Sequence, residues 1–214
     1  MELRTLFEDA VQAYGGLPVD TEFKDKNTTI KRRTVNDNEQ YILERKDLGL
    51  TPDKLQRLFR DIRGFERYNE RCSGYDVISE EAGYEGSVIQ TYASLGKPTG
   101  IIAGRIFLDT KYIWEKDGVI VMSSVGNESV REDYKKAHPK EAASWVDAIN
   151  YMSGMRFSPI YDTQDPSKVV GTHSFFVSQS DFGGSVPRWL VNKMAAGGVH
   201  EFFDSCINGA SSLE

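Results

Sequence analysis

Residues 179–203 read QSDFGGSVPRWLVNKMAAGGVHEFF, and this stretch decides the fold. It reads as the end of a strand, a glycine turn and the start of a helix. The pair Gly183-Gly184 supplies the turn, and Ser185 is a candidate N-cap for the helix. Pro187 then falls in the first helical turn, where its missing N–H costs nothing. The stretch therefore predicts a helix that begins directly after a tight turn.

Apolar side chains recur at helical spacing through this segment and beyond it. They are Val186, Trp189, Leu190, Met194, Val199, Phe202, Phe203, Cys206 and Ile207. The pair Gly197-Gly198 is expected to interrupt the helix, because glycine costs about 1 kcal/mol relative to alanine in a helix interior. By spacing alone, the segment predicts a C-terminal helix that docks on an apolar core and bends most easily at the glycine pair.

The start of this helix resembles a motif of the START domains (steroidogenic acute regulatory-related lipid transfer). That motif, D-x-x-G-x-[IVL]-P-x-W-L-[VI]-N, opens the C-terminal helix that covers a lipid cavity in the family. The matching residues are Asp181, Gly184, Val186, Pro187, Trp189, Leu190, Val191 and Asn192. The continuation through Ala195-Ala196, Gly198-Val199 and Phe202 is most similar to the phosphatidylcholine-transfer branch.

The resemblance extends to earlier segments and implies the helix-grip fold. This is an α+β fold in which a curved antiparallel β-sheet and a long C-terminal helix enclose an apolar cavity. The segment from Thr51-Pro52 to Tyr68-Asn69 is similar to the family's S-P-x-x-[LV]…W-[DN] helix, with Tyr in place of Trp. The implied function is to bind a single lipid and transfer it between membranes.

Local patterns along the rest of the chain agree with an α+β organisation. The amphipathic segment 3–14 and the segment opened by Thr51-Pro52 predict helices, and the charged segment 128–143 favours another. The turns at Asn36-Asp37-Asn38 and Asp117-Gly118 predict hairpins. The segments that favour strands are 28–34, 40–46, 88–92, 103–114, 119–125, 146–161 and 169–179.

Composition limits the classes of protein that the chain can be. Its 214 residues suit one domain, which we expect to span residues 1–212, with Leu213-Glu214 read as a cloning remnant. A net charge of −6 argues against nucleic-acid binding. The chain lacks an apolar run of the ~18 residues that a membrane span needs, and its start resembles no signal peptide. We therefore expect a cytoplasmic monomer with reduced cysteines, whose partners are a lipid and, transiently, a membrane surface.

The sequence offers no local pattern for catalysis. His200-Glu201 lacks the second histidine of a zinc motif, and the chain contains no phosphate-binding loop, dinucleotide fingerprint or nucleophile elbow. We therefore expect no enzymatic activity, no cofactor and no metal. Catalytic triads assemble in space, however, so a helix-grip hydrolase or cyclase stays an alternative. A lipid-sensing module of a larger protein is another alternative.

One strand carries the clearest candidates for ligand contact. Along 105–114, alternation puts Arg105, Phe107, Asp109, Lys111 and Ile113 on one face. Periodicity alone would bury the other face, whereas the resemblance implies that Arg105 and Lys111 face the cavity. Buried cations need partners, for which we expect Asp109 and a lipid phosphate. In the alternative, both cations form solvated pairs on the surface.

Other candidates follow from the resemblance, as do two doubts about the ligand. The complete set of predicted ligand-binding residues is Phe59, Tyr68, Asn69, Tyr92, Arg105, Phe107, Lys111, Trp189, Leu190, Met194, Phe202 and Phe203. Phe65 stands where the phosphatidylcholine branch has a phosphate-binding Arg, and Asp147 replaces the Arg of a V-R-A triplet. We therefore expect a phosphatidylcholine-like phospholipid first and a sterol second. The segment 125–144 is longer than the family's usual connection.

Two further expectations concern membranes and ligand exchange. The second helix presents a basic face with Lys54, Arg57, Arg60, Arg63 and Arg67, which is either solvated charge or a docking surface for anionic lipid. The moving parts of exchange are expected at Gly197-Gly198 and at the loop 101–103.

Overall fold

The computed structural model describes residues 3–23, 27–60, 72–83, 86–95, 104–185 and 187–213. The side chains of residues 22–23, 59–60, 72–95, 141 and 188–194 fall outside that description. The helices are α1 (Leu3–Ala13), α2 (Pro52–Arg60), α3 (Glu128–Ala137), α4 (Pro139–Ser144) and α5 (Arg188–Ser211). The strands are β1 (Val19–Phe23), β2 (Thr28–Val35), β3 (Asn38–Leu48), β4 (Cys72–Gly83), β5 (Gly86–Leu95), β6 (Arg105–Lys116), β7 (Val119–Gly126), β8 (Val146–Asp147), β9 (Ile149–Tyr161) and β10 (Val169–Asp181).

The ten described strands form one sheet in the order β1-β2-β3-β10-β9-β7-β6-β5-β4. All neighbours in this order are antiparallel, while the two-residue β8 pairs with β6 in parallel. The two predicted hairpin turns are confirmed. Asn36 and Asp37 have φ of 49° and 60°, and Asp117 and Gly118 have φ of 52° and 73°. Such left-handed pairs match the twist of the strands they join.

One face of the sheet, called here the outer face, is covered by α1. The apolar side of α1 packs with Tyr14 against strand residues in one cluster. Its buried members are Phe7, Ala10, Val11, Tyr14, Ile42, Trp114, Val121, Met152, Phe175 and Val177. Gly154 permits this close packing, because a Cβ there would lie 2.6 Å from Cδ2 of Phe7.

The opposite face, called here the inner face, is covered by α2 and the second half of α5. Leu55 and Leu58 of α2 are buried there. The α5 members of this cluster are Val199, Phe203, Cys206, Ile207 and Ala210, and the strand members are Ile30, Tyr41, Leu43, Ile113, Ile120, Met122, Met155, Phe157 and Phe176. The sheet and α5 therefore form the predicted helix-grip arrangement.

Two details of the decisive stretch differ from the prediction. Ser185 is not the N-cap: α5 begins at Arg188, and Pro187 precedes it with an extended ψ of 134°. Gly183 and Gly184 have φ of 58° and 69°, so the turn includes both glycines and the helix begins only at Arg188. The carboxylate of Asp181 fixes this turn by accepting a hydrogen bond of 2.8 Å from the N–H of Gly183.

The glycine pair 197–198 also does not interrupt α5. The helix runs for 24 residues through both glycines, and neither has a positive φ. The cost of about 1 kcal/mol per glycine is offset, since the next turn buries Val199 and Phe203 against the sheet. None of the described helices is long and apolar enough to cross a membrane.

Candidate lipid-binding site

The register of β6 decides which of its residues face α5. Ile113 belongs to the inner cluster and Trp114 to the outer one. Since β6 pairs with β5 without a register shift from Arg105 to Ile113, the odd-numbered residues share the inner face. Lys111 and Asp109 therefore lie on the side that α5 covers, as the resemblance implies.

Arg105 is buried and bonded to the chain itself. The residue is only 6% exposed, and its Nε donates a hydrogen bond of 3.0 Å to the carbonyl of Phe182. A longer contact of 3.5 Å joins Nη2 to the carbonyl of Gly183. Arg105 thus holds the turn that leads into α5. The expected pairing of Arg105 with Asp109 is wrong, because Asp109 takes its hydrogen bond from another residue.

That residue is Asn150 on β9. Its Nδ2 donates to Oδ2 of Asp109 at 2.5 Å, while its own Oδ1 accepts from the hydroxyl of Ser180 at 2.5 Å. Asn150 is therefore oriented from both ends, with its amide N–H directed at the carboxylate. The other carboxylate oxygen, Oδ1 of Asp109, is buried and accepts no hydrogen bond from the residues that the structure describes.

The environment of Asp109 raises its pKa from 3.8 to about 6. The largest cause is burial, which penalises the charged form, since the residue is only 7% exposed. The hydrogen bond from Asn150, the charge of Lys111 and the hydroxyl of Ser124 act in the opposite direction, because each of them favours the ionised carboxyl.

Lys111 lies half-buried between the sheet and α5. Its charge lowers the pKa of Asp109 on its own strand. It also lowers the pKa of the Cys206 thiol on α5, which burial otherwise raises. Lys111 therefore faces α5 and is not a surface cation of the outer face.

The remaining predicted contacts divide into three groups. Phe203 is fully buried and Phe202 partly buried, with rings 6.0 and 5.3 Å from that of Phe176. Phe107 is buried edge-on against Phe182, with ring centroids 6.0 Å apart. The backbones of Phe59, Tyr92, Trp189, Leu190 and Met194 lie on α2, β5 and α5, but their side chains are outside the description, as are Tyr68, Asn69 and the loop 101–103. Contact of any of these residues with a ligand stays a prediction.

An ion-pair network that the sequence did not predict joins α5 to the sheet. Arg45 of β3 donates to Asp47 at 2.8 Å and to Asp204 of α5 at 2.9 Å. The Arg45 side chain is almost fully buried. Arg45 and Asp204 are 159 residues apart along the chain, so no local pattern could reveal their pairing. The network fixes the second half of α5 over the inner face.

Comparison with known proteins rests on the structure. No protein-family model matches the chain, and no curated protein matches it in sequence. Solved structures do match. Human StAR-related lipid transfer protein 5 superposes with a TM-score of 0.73 at 15% identity, covering 98% of this chain and 94% of that one. Human STARD10 gives 0.69 at 13% identity, covering 92% and 77%. A STAR-related lipid transfer protein from Xanthomonas axonopodis gives 0.67 at 14%, covering 92% and 99%.

The chain has the START fold. Within that fold, its long connection between β7 and β8 forms α3 and α4. Lys135 of α3 forms an ion pair with Asp147, where the resemblance predicts an arginine. Asp147 therefore attaches the inserted helices to the sheet.

A pocket of about 210 Å³ lies beside this insertion. It is lined by Leu108, Gly126, Asn127, Glu128, Arg131, Ala148 and Ile149. Leu108 alternates with Phe107 and so points away from the inner face. At Leu108 the pocket therefore lies on the side of β6 opposite Asp109 and Lys111.

The basic face of the second helix is described only in part. Lys54 donates from Nζ to the carbonyl of Leu213 at 2.8 Å. Arg57 pairs with Asp53 one turn away, and both side chains are more than half exposed. Only the Arg57 pair is that of a solvated helix face, since the Lys54 contact is partly buried. A role in membrane docking stays a prediction.

Proposed function

We propose that this protein binds one lipid between the inner face and α5 and carries it between membranes. The observation that supports this most strongly is the pair of charged groups, Asp109 and Lys111, on the face that α5 covers. Burying a carboxylate costs free energy, and a core that serves only for packing gains nothing from that cost. A ligand with a polar head and an apolar body would interact with both charged groups.

The physical basis of affinity is burial of the apolar part of the ligand. Each CH₂ removed from water contributes about 0.8 kcal/mol, so an acyl chain supplies ample binding energy without a specific contact. Selectivity between lipids must then come from the few polar groups near the head. The similar solved structures include proteins named for lipid transfer, which supports this class of ligand.

We propose a zwitterionic phospholipid as the ligand, the class to which phosphatidylcholine belongs. The resemblance of the α5 start to the phosphatidylcholine-transfer branch motivates the choice, and Lys111 offers a cation for the phosphate. Arg105 is less available for that role, because its guanidinium holds the carbonyls of Phe182 and Gly183.

A sterol is the second candidate. Its hydroxyl needs a hydrogen-bond partner rather than a second cation, and Phe65 stands where the phosphatidylcholine branch has its phosphate-binding arginine. Asp109, with one buried oxygen free to accept, can bind a hydroxyl donor.

Native mass spectrometry of the purified protein tests the proposal. We expect one lipid of intact mass per polypeptide, and extraction should identify its class. Protein that stays empty after incubation with phospholipid and sterol vesicles would contradict the proposal. A cleaved or cyclised product instead of intact lipid would favour the hydrolase or cyclase alternative. Binding without transfer between vesicles would favour a sensor module.

Lys111→Met distinguishes the two ligand classes. We expect it to weaken phospholipid transfer by about tenfold and to affect sterol binding less, because a phosphate gains more from a positive charge than a hydroxyl does. Lys116→Met is the matched control, since Lys116 is exposed at the end of the same strand. Equal loss for both ligands would show that Lys111 acts structurally, through Asp109.

A further inference from the structure

Asp109 has one buried carboxylate oxygen without a hydrogen bond within 3.5 Å. Oδ2 accepts from Asn150, whereas Oδ1 has no such bond among the described residues, and the nearby Ser124 hydroxyl only favours the charged form of the carboxyl. A buried acceptor without a donor costs free energy, so it calls for a donor that arrives with the ligand. Asn150 is held by Ser180 and cannot turn to serve both oxygens.

Lys111 and Asp109 place opposite charges at neighbouring positions of the inner face. They lie two residues apart on the same face of β6, about 7 Å along the strand. A zwitterionic phospholipid head has a phosphate and an ammonium separated by two carbons and an ester oxygen. Its two charges can therefore be placed with the phosphate towards Lys111 and the ammonium towards Asp109.

Zwitterionic heads differ in whether the ammonium can donate a hydrogen bond. The ethanolamine ammonium has three N–H donors, and each N-methyl group removes one. Choline, the trimethylated form, keeps the positive charge but has no N–H. A charge interaction alone would treat the two heads alike, whereas an acceptor that needs a donor would not.

We propose that Asp109 makes the site selective for phospholipids whose head ends in an N–H donor, such as ethanolamine, over choline. This inference rests on the proposed lipid-binding function and specifies its ligand. Oδ1 of Asp109 accepts the N–H, and Lys111 pairs with the phosphate. The start of α5 resembles the phosphatidylcholine-transfer branch, and in this proposal that resemblance concerns only the helix that covers the lipid. It does not concern the residues that contact the head group.

The test is competition for uptake from vesicles that carry the N-methyl series at pH 7. The four lipids are phosphatidylethanolamine, its N-methyl and N,N-dimethyl derivatives, and phosphatidylcholine, with matched acyl chains. Because Oδ1 needs a single donor, the first three should compete within about twofold of one another. Phosphatidylcholine should compete at least about tenfold less well, since a charge-assisted hydrogen bond is lost only at the last step.

Asp109→Asn should abolish the tenfold difference between the dimethylated lipid and phosphatidylcholine. Asn150 donates to the side chain at position 109 and would hold the amide oxygen towards itself, which leaves an NH₂ group where Oδ1 was. Asp147→Asn is the control, because Asp147 pairs with Lys135 on the insertion. It should keep the preference of the unmodified protein.

Three results would overturn the inference while leaving the proposed phospholipid ligand intact. Equal uptake of all four lipids would show that no hydrogen bond to the head discriminates. A gradual decline along the series would indicate exclusion by size. An unchanged preference in Asp109→Asn would place the discriminating acceptor elsewhere. Failure to take up any phospholipid would instead refute the proposed phospholipid ligand itself, and the inference with it.

Discussion

At the scale of single residues, Asp109 is the group whose environment most opposes its charge. Burial raises its pKa, and Asn150, Lys111 and Ser124 only partly compensate. The folded protein therefore contains a carboxyl whose neutral form its surroundings stabilise relative to the charged form. Such a cost at one residue of the face that we propose to bind the ligand is typical of a functional group and not of a packing group.

We predict that stability depends on the protonation of Asp109. Its folded pKa of about 6 exceeds the ordinary value of 3.8, so between these pH values the folded state binds more protons than the unfolded state. Its contribution to stability therefore falls as pH rises from about 4 to about 6. Asp109→Asn removes this dependence and should raise the free energy of unfolding at pH 7 by up to about 3 kcal/mol.

Denaturant unfolding at pH 4 and pH 7 measures this effect. The gain of Asp109→Asn over the unmodified protein should be larger at pH 7, where the carboxyl is mostly ionised. A gain that is equal at both pH values would mean that the charge of Asp109 carries no cost.

At the scale of elements, two arginines anchor the segment that contains α5. Arg105 binds the carbonyls of the turn before the helix, and Arg45 binds Asp204 in its second half. Between these attachments lies Gly197, where a Cβ would meet nothing within 4 Å. The helix is intrinsically weakest at this glycine.

Alanine substitutions at Gly183 and Gly197 should change the stability of the protein in opposite directions. Gly183 has φ of 58°, and a Cβ there would lie 2.2 Å from the carbonyl oxygen of Asp147, so Gly183→Ala should destabilise. Gly197 is helical and unobstructed, so Gly197→Ala should stabilise by roughly 0.5–1 kcal/mol. Thermal unfolding of the two variants checks both signs. Destabilisation by Gly197→Ala would mean that the middle of α5 is not a regular helix.

Gly197→Ala also tests how the ligand leaves. If α5 opens by bending at its middle, the variant should slow lipid transfer between vesicles more than it changes the bound fraction at equilibrium. A stabilised variant that transfers at the original rate would place the opening elsewhere, with the loop 101–103 as the next candidate.

The Arg45 network should contribute measurably to stability. Arg45→Met leaves Asp47 and Asp204 without their buried cation and should lower the free energy of unfolding by about 3 kcal/mol. Arg57→Met is the control, because its pair with Asp53 is exposed and worth less than about 1 kcal/mol. Equal effects of the two variants in denaturant unfolding would show that the network does not hold α5.

At the scale of the whole molecule, local chemistry predicted most elements but few tertiary contacts. The two hairpin turns and the α2 start follow from residues adjacent in sequence. Strands β1 and β4 were not identified individually, because VDTEF and CSGYDVISEEAG lack clean apolar alternation. The bond from Asn150 to Asp109 joins residues 41 positions apart, so only the strand order brings them together.

The two faces of the sheet give the whole molecule its division of labour. The outer face packs α1 through an apolar cluster beside the Arg156–Glu8 ion pair, whereas the inner face combines an apolar cluster with the buried carboxyl of Asp109 and with Lys111. In the proposed function, the outer face stabilises the fold while the inner face accepts and releases the ligand.

Photo-crosslinking tests the central claim, that one lipid lies between the inner face and α5. The protein is loaded with a phospholipid that carries a diazirine in its acyl chain, irradiated and digested. We expect one lipid per polypeptide, attached to peptides from α5 and from the inner face of β6 and its neighbours, and displaced by excess unlabelled lipid. Labelling confined to α1 and the outer face, or labelling that excess lipid does not displace, would contradict the account.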